Sequence, residues 1–533
     1  MRLSFFSRRM VYLFRKTTGS RITTNCFSSK VLLGEDTIFA LSSGHGKAGV
    51  AVIRVSGPSA GKALIKLGAG NKLPSPRQAS LRKILDPDTL EQIDKGLILW
   101  FPGPQSFTGE DCAELHVHGG VAVVSAVLGV LGHLPGLRHA EAGEFTKRAF
   151  MNGKLDLTAV EGLADLISAE TEAQRKQALR QLDGDLSRIY TDWRGRLIKC
   201  LANVEAYIDF HEEENIEEDV LDHVDSGVQR LLSEISAHLN DSRRGERLRN
   251  GVHVVIIGQP NVGKSSLLNC VCQRPAAIVS STAGTTRDVV ETAINLAGYP
   301  VLLSDTAGLR EAESDVELEG IRRAMSRALN SDIKVIMLDA PAILKKHQNS
   351  MSALQKVVTS HLLELGFHVE MQDEHGKCSV VIDTDEDPNY YTQTQSGDDV
   401  FLKTDEIIIV FNKCDLLENS EVFRGSTLRF SAVWLSCVTG KGISEFANLL
   451  TQKVKQMCWD PQTGNPSLTQ ARHRTHLTNC VGHLESYKSM SETDIVLAAQ
   501  QLRKATREIG KVIGKVSSED ILNVIFSDFC IGK

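Results

Sequence analysis

The chain has no run of about twenty uninterrupted apolar residues, so it lacks the material for a membrane-spanning helix. It also has no Cys-x-x-Cys pair. Its eleven cysteines are scattered through 533 residues, which excludes a small disulfide-stapled scaffold and suits a reducing compartment. The first thirty residues contain no acid at all: Arg2, Arg8, Arg9, Arg15, Lys16, Arg21 and Lys30 precede the first carboxylate, Glu35. A basic, Ser/Thr-rich, acid-free leader reads as a mitochondrial presequence, placed at 1–34. A basic nucleic-acid arm would share this composition. Beyond the leader there is no surplus of base. The chain carries −6 overall, and setting aside the seven leader bases leaves −13. Such a body grips phosphate backbones poorly, so a nucleic-acid substrate would need a local basic face or a partner.

What is present divides by texture. From 35 to 153, short apolar runs such as "GVAVIRVSG", "KGLILWFPGP" and "AELHVHGG" alternate with Gly/Pro punctuation, the pattern of an α+β domain. From 154 to 250 the chain turns helical, nearly free of Pro and Gly, with apolar residues at a 3.6-residue period and an acidic run, "HEEENIEED", inside it. From 251 to 451 strand and helix textures alternate, as in a doubly wound sheet. Helical texture returns from 452 to 533. The economical arrangement is a discontinuous helical domain with an α/β domain inserted. Within that insert, 341–404 is polar and acidic and reads in part as a mobile surface insertion.

Four elements in one order define a nucleotide site. "GQPNVGKSS" fits G-x-x-x-x-G-K-[ST] between a strand and a helix, with Asn261, Val262, Gly263, Lys264, Ser265 and Ser266 in the loop. Its backbone N–H groups close on phosphates, Lys264 meets the β/γ oxygens, and Ser265 can ligate Mg²⁺. "LLSDTAG" supplies Asp305 for Mg²⁺, with Thr306, Ala307 and the Gly308 amide at the γ-phosphate. "IIIVFNKCD" supplies Asn412, Lys413 and Asp415. A carboxylate accepts both the ring N–H and the exocyclic amine of guanine, a donor pair that adenine lacks. "WLSCVTGKG" adds Ser436, Cys437 and Val438 as the last base-contact loop. The residues spell a P-loop GTPase. One absence stands out: Leu309 follows Asp-Thr-Ala-Gly where Ras-like enzymes carry a water-orienting Gln. Asn261 and the oxygen-rich "SSTAGTTRD" loop suit a monovalent cation such as K⁺ beside the β/γ bridge; a purely structural Asn261 is the alternative.

The stretches "SFTGEDCAELHVHGG", "GEFTKRAFMNGKLDL", "GTTRD", "DTAGLREAESDVE" and the terminal "FCIGK" resemble one family, the tRNA-modifying GTPases MnmE (TrmE), in a mitochondrial form. The resemblance runs from about Asp36 to Lys533. It implies an N-terminal folate-binding and dimerisation domain, a discontinuous helical domain and an inserted G domain, assembled as a homodimer. It further implies action with an FAD-dependent flavoprotein, MnmG (GidA), on the wobble uridine of mitochondrial tRNA. There a taurinomethyl or carboxymethylaminomethyl group enters the 5-position, with 5-formyl- or 5,10-methylene-tetrahydrofolate supplying one carbon. By the same resemblance Arg54, Glu114, Lys154 and Lys533 match folate contacts. Ser265 and Thr286 match Mg²⁺ contacts, and Asn261, Ser280, Thr282 and Thr285 match K⁺ contacts. Glu317 matches the glutamate that orients attacking water, and this answers the question raised by Leu309.

Cys530, in "FCIGK", is expected on an ordered, partly buried wall, either as a packing residue or as a thiol acting in the modification step. His116 and His118 alternate on one strand without a third ligand and read as structural. Two other function classes remain compatible with parts of the chain: a GTP-switched ribosome or RNA assembly factor, and a folate-dependent one-carbon enzyme regulated by GTP.

Overall fold

A computed structural model describes residues 36–532 except 69–71, 211–218, 242, 273–276, 280–290, 306–330, 347–366, 372–377, 383–400, 403–405, 418–430, 459–466, 517–521, 523, 524 and 528. It divides into two compact units: the residues up to Lys154 together with the last four, from Cys530, and Leu155–Phe529. Among the described residues no helix is long and apolar enough to cross a membrane.

The first unit is a six-stranded sheet with helices. The strands β1 (Thr37–Leu41), β2 (Ala48–Ser56), β3 (Ser80–Leu85), β4 (Gln92–Phe101), β5 (Cys112–Gly119) and β6 (Leu137–His139) stand in the order β3-β4-β5-β2-β1-β6. Only the β1–β6 pairing is parallel. Alternation along β2 and β5 turns Ile53, Val55, Leu115 and Val117 into a core shared with α1 (Ala60–Leu67) and α2 (Val121–His133). The intervening positions, Arg54 and Glu114, fall directly opposite each other in the β2–β5 register. A third helix, α3 (Glu144–Met151), follows β6.

The second unit contains helices on both sides of a sheet in chain order. α4 (Leu157–Ser168), α5 (Glu172–Leu182), α6 (Asp185–Phe210), α7 (Asp219–Leu239) and α8 (Arg244–Asn250) precede the sheet. Asp156 caps α4, and Thr171 with Gln174 forms a reciprocal capping box on α5. After the sheet come α12 (Ala471–Met490) and α13 (Ile495–Val512). The apolar stripes of these distant segments close one core: Tyr190, Trp193, Leu197, Val228 and Leu231 from before the sheet meet Leu477, Leu484, Leu502 and Ile509 from after it. Each amphipathic helix needs a partner for its stripe, and the partners of α6 and α7 lie beyond the insert.

The insert is a seven-stranded sheet of β7 (Val252–Gly258), β8 (Ala277–Val279), β9 (Glu291–Leu296), β10 (Tyr299–Asp305), β11 (Ile333–Asp339), β15 (Ile407–Asn412) and β16 (Ser431–Trp434), in the order β16-β15-β11-β7-β10-β9-β8. From β16 to β10 every pairing is parallel, and β9 and β8 add an antiparallel edge. The central strands read as continuous β-branched runs because both faces are buried, by α9 (Lys264–Cys272) and α11 (Ile443–Met457) among others.

Of the segment read in part as an insertion, 341–404, the described residues are 341–346, 367–371, 378–382, 401 and 402. Residues 341–346 continue α10 (Ala340–Lys346). β12 (Phe367–Met371), β13 (Cys378–Ile382) and β14 (Phe401–Leu402) pair into a separate antiparallel three-stranded sheet. The short β-branched runs inside an acidic stretch supply the strands.

Candidate functional site

In a parallel sheet, ligands bind at the carboxyl ends of the strands, and the nucleotide motifs gather there. β7 ends at Gly258 and its loop feeds α9. β10 ends at Asp305, which pairs in register with Ile256 of β7. β11 ends at Asp339 and β15 at Asn412, also in register. The loop after β16 carries Ser436, Cys437 and Val438.

Asn412 holds this edge together. Its side chain is 3% exposed. Its Nδ2 donates to the Val262 carbonyl at 2.7 Å, and its Oδ1 accepts from the Cys437 N–H at 3.2 Å. One buried amide therefore ties the phosphate loop to the base loop. It also dictates Gly263: a Cβ there would stand 2.3 Å from Asn412 Nδ2, and the backbone has φ +102°. Asn261 likewise adopts a left-handed φ of 64°. Lys413 sits at φ 64° and its ammonium pairs with Asp339 Oδ2 at 2.7 Å. Asp415, in a short turn Cys414–Leu416, is exposed, which leaves its carboxylate open to a base. Ser436 is fully buried and its Oγ accepts from the Thr439 N–H at 3.2 Å, whereas Val438 is 87% exposed.

Lys264 is 8% exposed and donates to the carbonyls of Gly258 at 2.7 Å and Gln259 at 3.0 Å. Its ammonium thus lies folded against its own loop, where arriving phosphate oxygens would compete for it. Ser265 and Ser266 are exposed at the start of α9, where helix N-termini favour anions. The backbone of Asp305 is described. Ser280, Thr282, Thr285, Thr286, Thr306, Ala307, Gly308, Leu309 and Glu317 lie outside the described residues.

The first unit brings Arg54 and Glu114 into direct contact. The guanidinium donates from Nη2 at 2.9 Å and Nε at 3.1 Å to Glu114 Oε1. It also stands over the Phe107 ring at 5.0 Å and the Phe145 ring at 5.8 Å from the centroids. His116 Nε2 contacts Glu114 Oε2 at 3.3 Å. His118 turns to a different acid, with Nδ1 at 2.8 Å from Asp94 Oδ1. Burial pushes Asp94 up, but the hydrogen bonds from His118 outweigh it and hold the carboxyl below its ordinary value. Lys154 is exposed and donates to the Pro104 carbonyl at 3.0 Å. Lys533 lies outside the described residues.

Sequence reasoning missed a buried polar group beside this pair. Arg148, 2% exposed, donates to both Glu110 oxygens at 3.1 Å, to Glu144 Oε1 at 3.1 Å and to the Asp36 carbonyl at 3.0 Å. Glu110 in turn accepts from Ser56 Oγ at 2.7 Å. Glu110 belongs to "SFTGEDC" and Arg148 to "GEFTKRAF", so the two conspicuous stretches meet through this ion pair. No local pattern marked it, because both stretches carry several other polar and charged residues.

The chain's last described residues dock on this same unit. Ile531 makes an antiparallel bridge with Ala142, and Ser42 Oγ donates to the Gly532 carbonyl at 2.8 Å. Gly532 is buried, while Cys530 is exposed rather than set into a wall. The segment is held through its backbone, and that leaves the thiol open.

Comparison with known proteins adds kinship to this geometry. The domain described as the GTP-binding protein TrmE N-terminus matches residues 37–154, and the MnmE helical domain matches 157–530. The mitochondrial 5-taurinomethyluridine-[tRNA] synthase subunit of Danio rerio is 50% identical over 94% of this chain and 94% of its own length. Its Homo sapiens counterpart is 50% identical over 93% of each chain. The tRNA modification GTPase of Parvibaculum lavamentivorans is 44% identical over 93% of this chain and all of its own.

Gly532 offers a direct check on the docked tail. At φ +98° an added Cβ would lie 2.0 Å from the Leu41 carbonyl oxygen, and a backbone atom cannot yield as a side-chain tip can. Gly532→Ala should release the tail: carboxypeptidase should remove the last residues several-fold faster while GTP affinity stays unchanged. Equal protection in both proteins would contradict the docking.

Proposed function

The chain belongs to the MnmE (TrmE) family of tRNA modification GTPases, and on that premise we propose that it hydrolyses GTP to drive modification of the 5-position of the wobble uridine in mitochondrial tRNA. The observation that carries this reading is the nucleotide edge built around Asn412, in a chain that matches named tRNA-modifying relatives over nearly its whole length. The group added is of the taurinomethyl type, which the relatives' names support, or of the carboxymethylaminomethyl type, and the working compartment is the mitochondrion that those names also give. The domains are assigned as 35–153 for folate binding and dimerisation, 154–250 and 452–533 for the helical part, and 251–451 for the G domain.

GTP sits with its phosphates against the loop from Gly258 to Lys264. The loop suits it: Gly263 admits no side chain, and α9 offers its N-terminal N–H groups. Lys264 exchanges its loop carbonyls for β/γ oxygens, and Asp415 accepts the two guanine donors while Lys413, held by Asp339, flanks the base. Ser265 and Thr286 would hold Mg²⁺, which neutralises phosphate charge. Asn261, with Ser280, Thr282 and Thr285, would hold K⁺, whose charge substitutes for an arginine finger. Glu317 orients the attacking water in place of the Gln that Leu309 displaces.

In the N-terminal unit the flat rings around Arg54 and the carboxylate of Glu114 suit a pteridine and its N–H groups. Arg54, Glu114, Lys154 and Lys533 would hold the tetrahydrofolate derivative that supplies the one-carbon unit. Cys530, exposed on its docked backbone, stands available to the modification step. The acidic body calls for a partner to bind tRNA, and an FAD-dependent flavoprotein of the MnmG type fills that role alongside a homodimer of this chain.

Mass spectrometry of mitochondrial tRNA nucleosides after loss of the chain tests the proposal: 5-substituted wobble uridines should disappear, and an unchanged nucleoside profile would overturn it. The hydrolytic assignment has its own check. Turnover should be at least several-fold faster in K⁺ than in Na⁺, and Glu317→Ala should abolish the K⁺-stimulated rate while sparing GTP binding. Equal rates in the two salts, or full turnover by the variant, would contradict it.

A further inference from the structure

Two thiols meet behind the nucleotide edge. Cys270 lies on α9, the helix that follows the phosphate loop, and Cys437 lies in the loop placed at the guanine. The Cys270 thiol donates to the Cys437 carbonyl at 3.5 Å, which brings the two cysteines side by side. Both are free and half-buried, neither sealed in the core nor fully exposed. They are separated by 167 positions in sequence, so their meeting is a product of the fold.

We propose that Cys270 and Cys437 form a reversible redox-modification site, in which a low-molecular-weight disulfide of the glutathione class oxidises them to an intramolecular disulfide that loosens the guanine nucleotide.

The chemistry balances without a further reagent. Cys270 loses its proton and attacks one sulfur of the oxidant, forming a mixed disulfide and releasing the first small thiol. Cys437 then loses its proton and attacks the Cys270 sulfur, forming the intramolecular bond and releasing the second. Two cysteine thiols are oxidised, one disulfide is reduced to two thiols, and the two protons end on those thiols. The order follows from environment. Burial, together with the neighbouring Cys270, pushes the Cys437 thiol up to about 12, so it is a poor first nucleophile and serves as the resolving thiol once a bond to Cys270 brings the target sulfur next to it.

The consequence for the nucleotide also follows from geometry. A disulfide holds its sulfurs about 2.05 Å apart, well inside van der Waals contact. Oxidation therefore draws the Cys437 loop toward α9. The Cys437 N–H is the group that Asn412 Oδ1 accepts from, and the same Asn412 holds Val262 of the phosphate loop. Pulling Cys437 strains the tie between the two loops. The sense of this effect rests on the placement of Ser436, Cys437 and Val438 at the base; formation of the cross-link does not.

The test uses the full-length chain. After treatment with oxidised glutathione and alkylation of remaining thiols, peptide mass spectrometry should find Cys270 joined to Cys437. Release of a fluorescent GDP should accelerate about fivefold, the factor expected for one weakened hydrogen bond, and dithiothreitol should reverse both changes. Cys270→Ala should bind GDP normally when reduced and show neither the link nor the acceleration; Cys270→Ser serves the same purpose if the alanine variant folds poorly. Free alkylation of both thiols, glutathione retained on Cys270 without a link, or a link that leaves release unchanged would each overturn the proposal.

Discussion

Glu161 is the point on which the second unit turns. It sits on α4 at 5% exposure. Its partners, Arg472 at 2.9 Å and His473 at 2.7 Å, arrive 311 and 312 residues later at the start of α12. Burial alone would raise this carboxyl, but the charges and hydrogen bonds of His473 and Arg472 hold it below its ordinary value. Arg472 also donates to the carbonyls of Lys511 and Val512 at the end of α13. A buried charge stripped of its partners is strongly destabilising, so the chain must return to this place after the inserted sheet. The apolar core of α6, α7, α12 and α13 closes around the same constraint.

That closure places the nucleotide-binding sheet between two fixed ends. α8 reaches the sheet through Arg247, paired with Asp332 at 2.7 Å, and Asp332 also accepts from the His253 N–H at 3.0 Å. Arg249, from the same helix, pairs back to Asp165 of α4 at 2.7 Å. The Ala173 N–H at the start of α5 donates to the Gly298 carbonyl between β9 and β10. The helices before the insert are thus fastened to the sheet by ion pairs and backbone hydrogen bonds at the start of β7 and β11 and at the β9–β10 turn.

The sequence revealed what depends on local pattern. The strand, glycine loop and helix around Lys264 follow from periodicity and a motif, and so do the β-branched strands β7, β11 and β15. The interruption of the helical texture was visible as a change of period. The rest depends on pairings that no local pattern encodes. Arg148 reads as one more helical cation until Glu110 and Glu144 close on it. Asn412 reads as a base-loop brace, and its second task of holding Val262 emerges only when β15 and β7 stand two places apart in the sheet. Cys530 shows the same limit from the other side. The apolar run around it suggested burial, but the docked segment is fastened through the backbone at Ile531 and Gly532, leaving the thiol exposed.

In the proposed function the nucleotide read by Asp415 drives chemistry on tRNA. Asparagine at that position offers a donor where aspartate accepts, which matches xanthine, whose 2-oxo group replaces the guanine amine. The direct measurement is wobble-uridine modification in a reaction reconstituted from this chain, the proposed flavoprotein partner and tRNA, supplied with either GTP or xanthosine triphosphate. The account predicts that the native chain works with GTP alone and that Asp415→Asn works with xanthosine triphosphate alone. Modification that proceeds equally with either nucleotide in both proteins would contradict it.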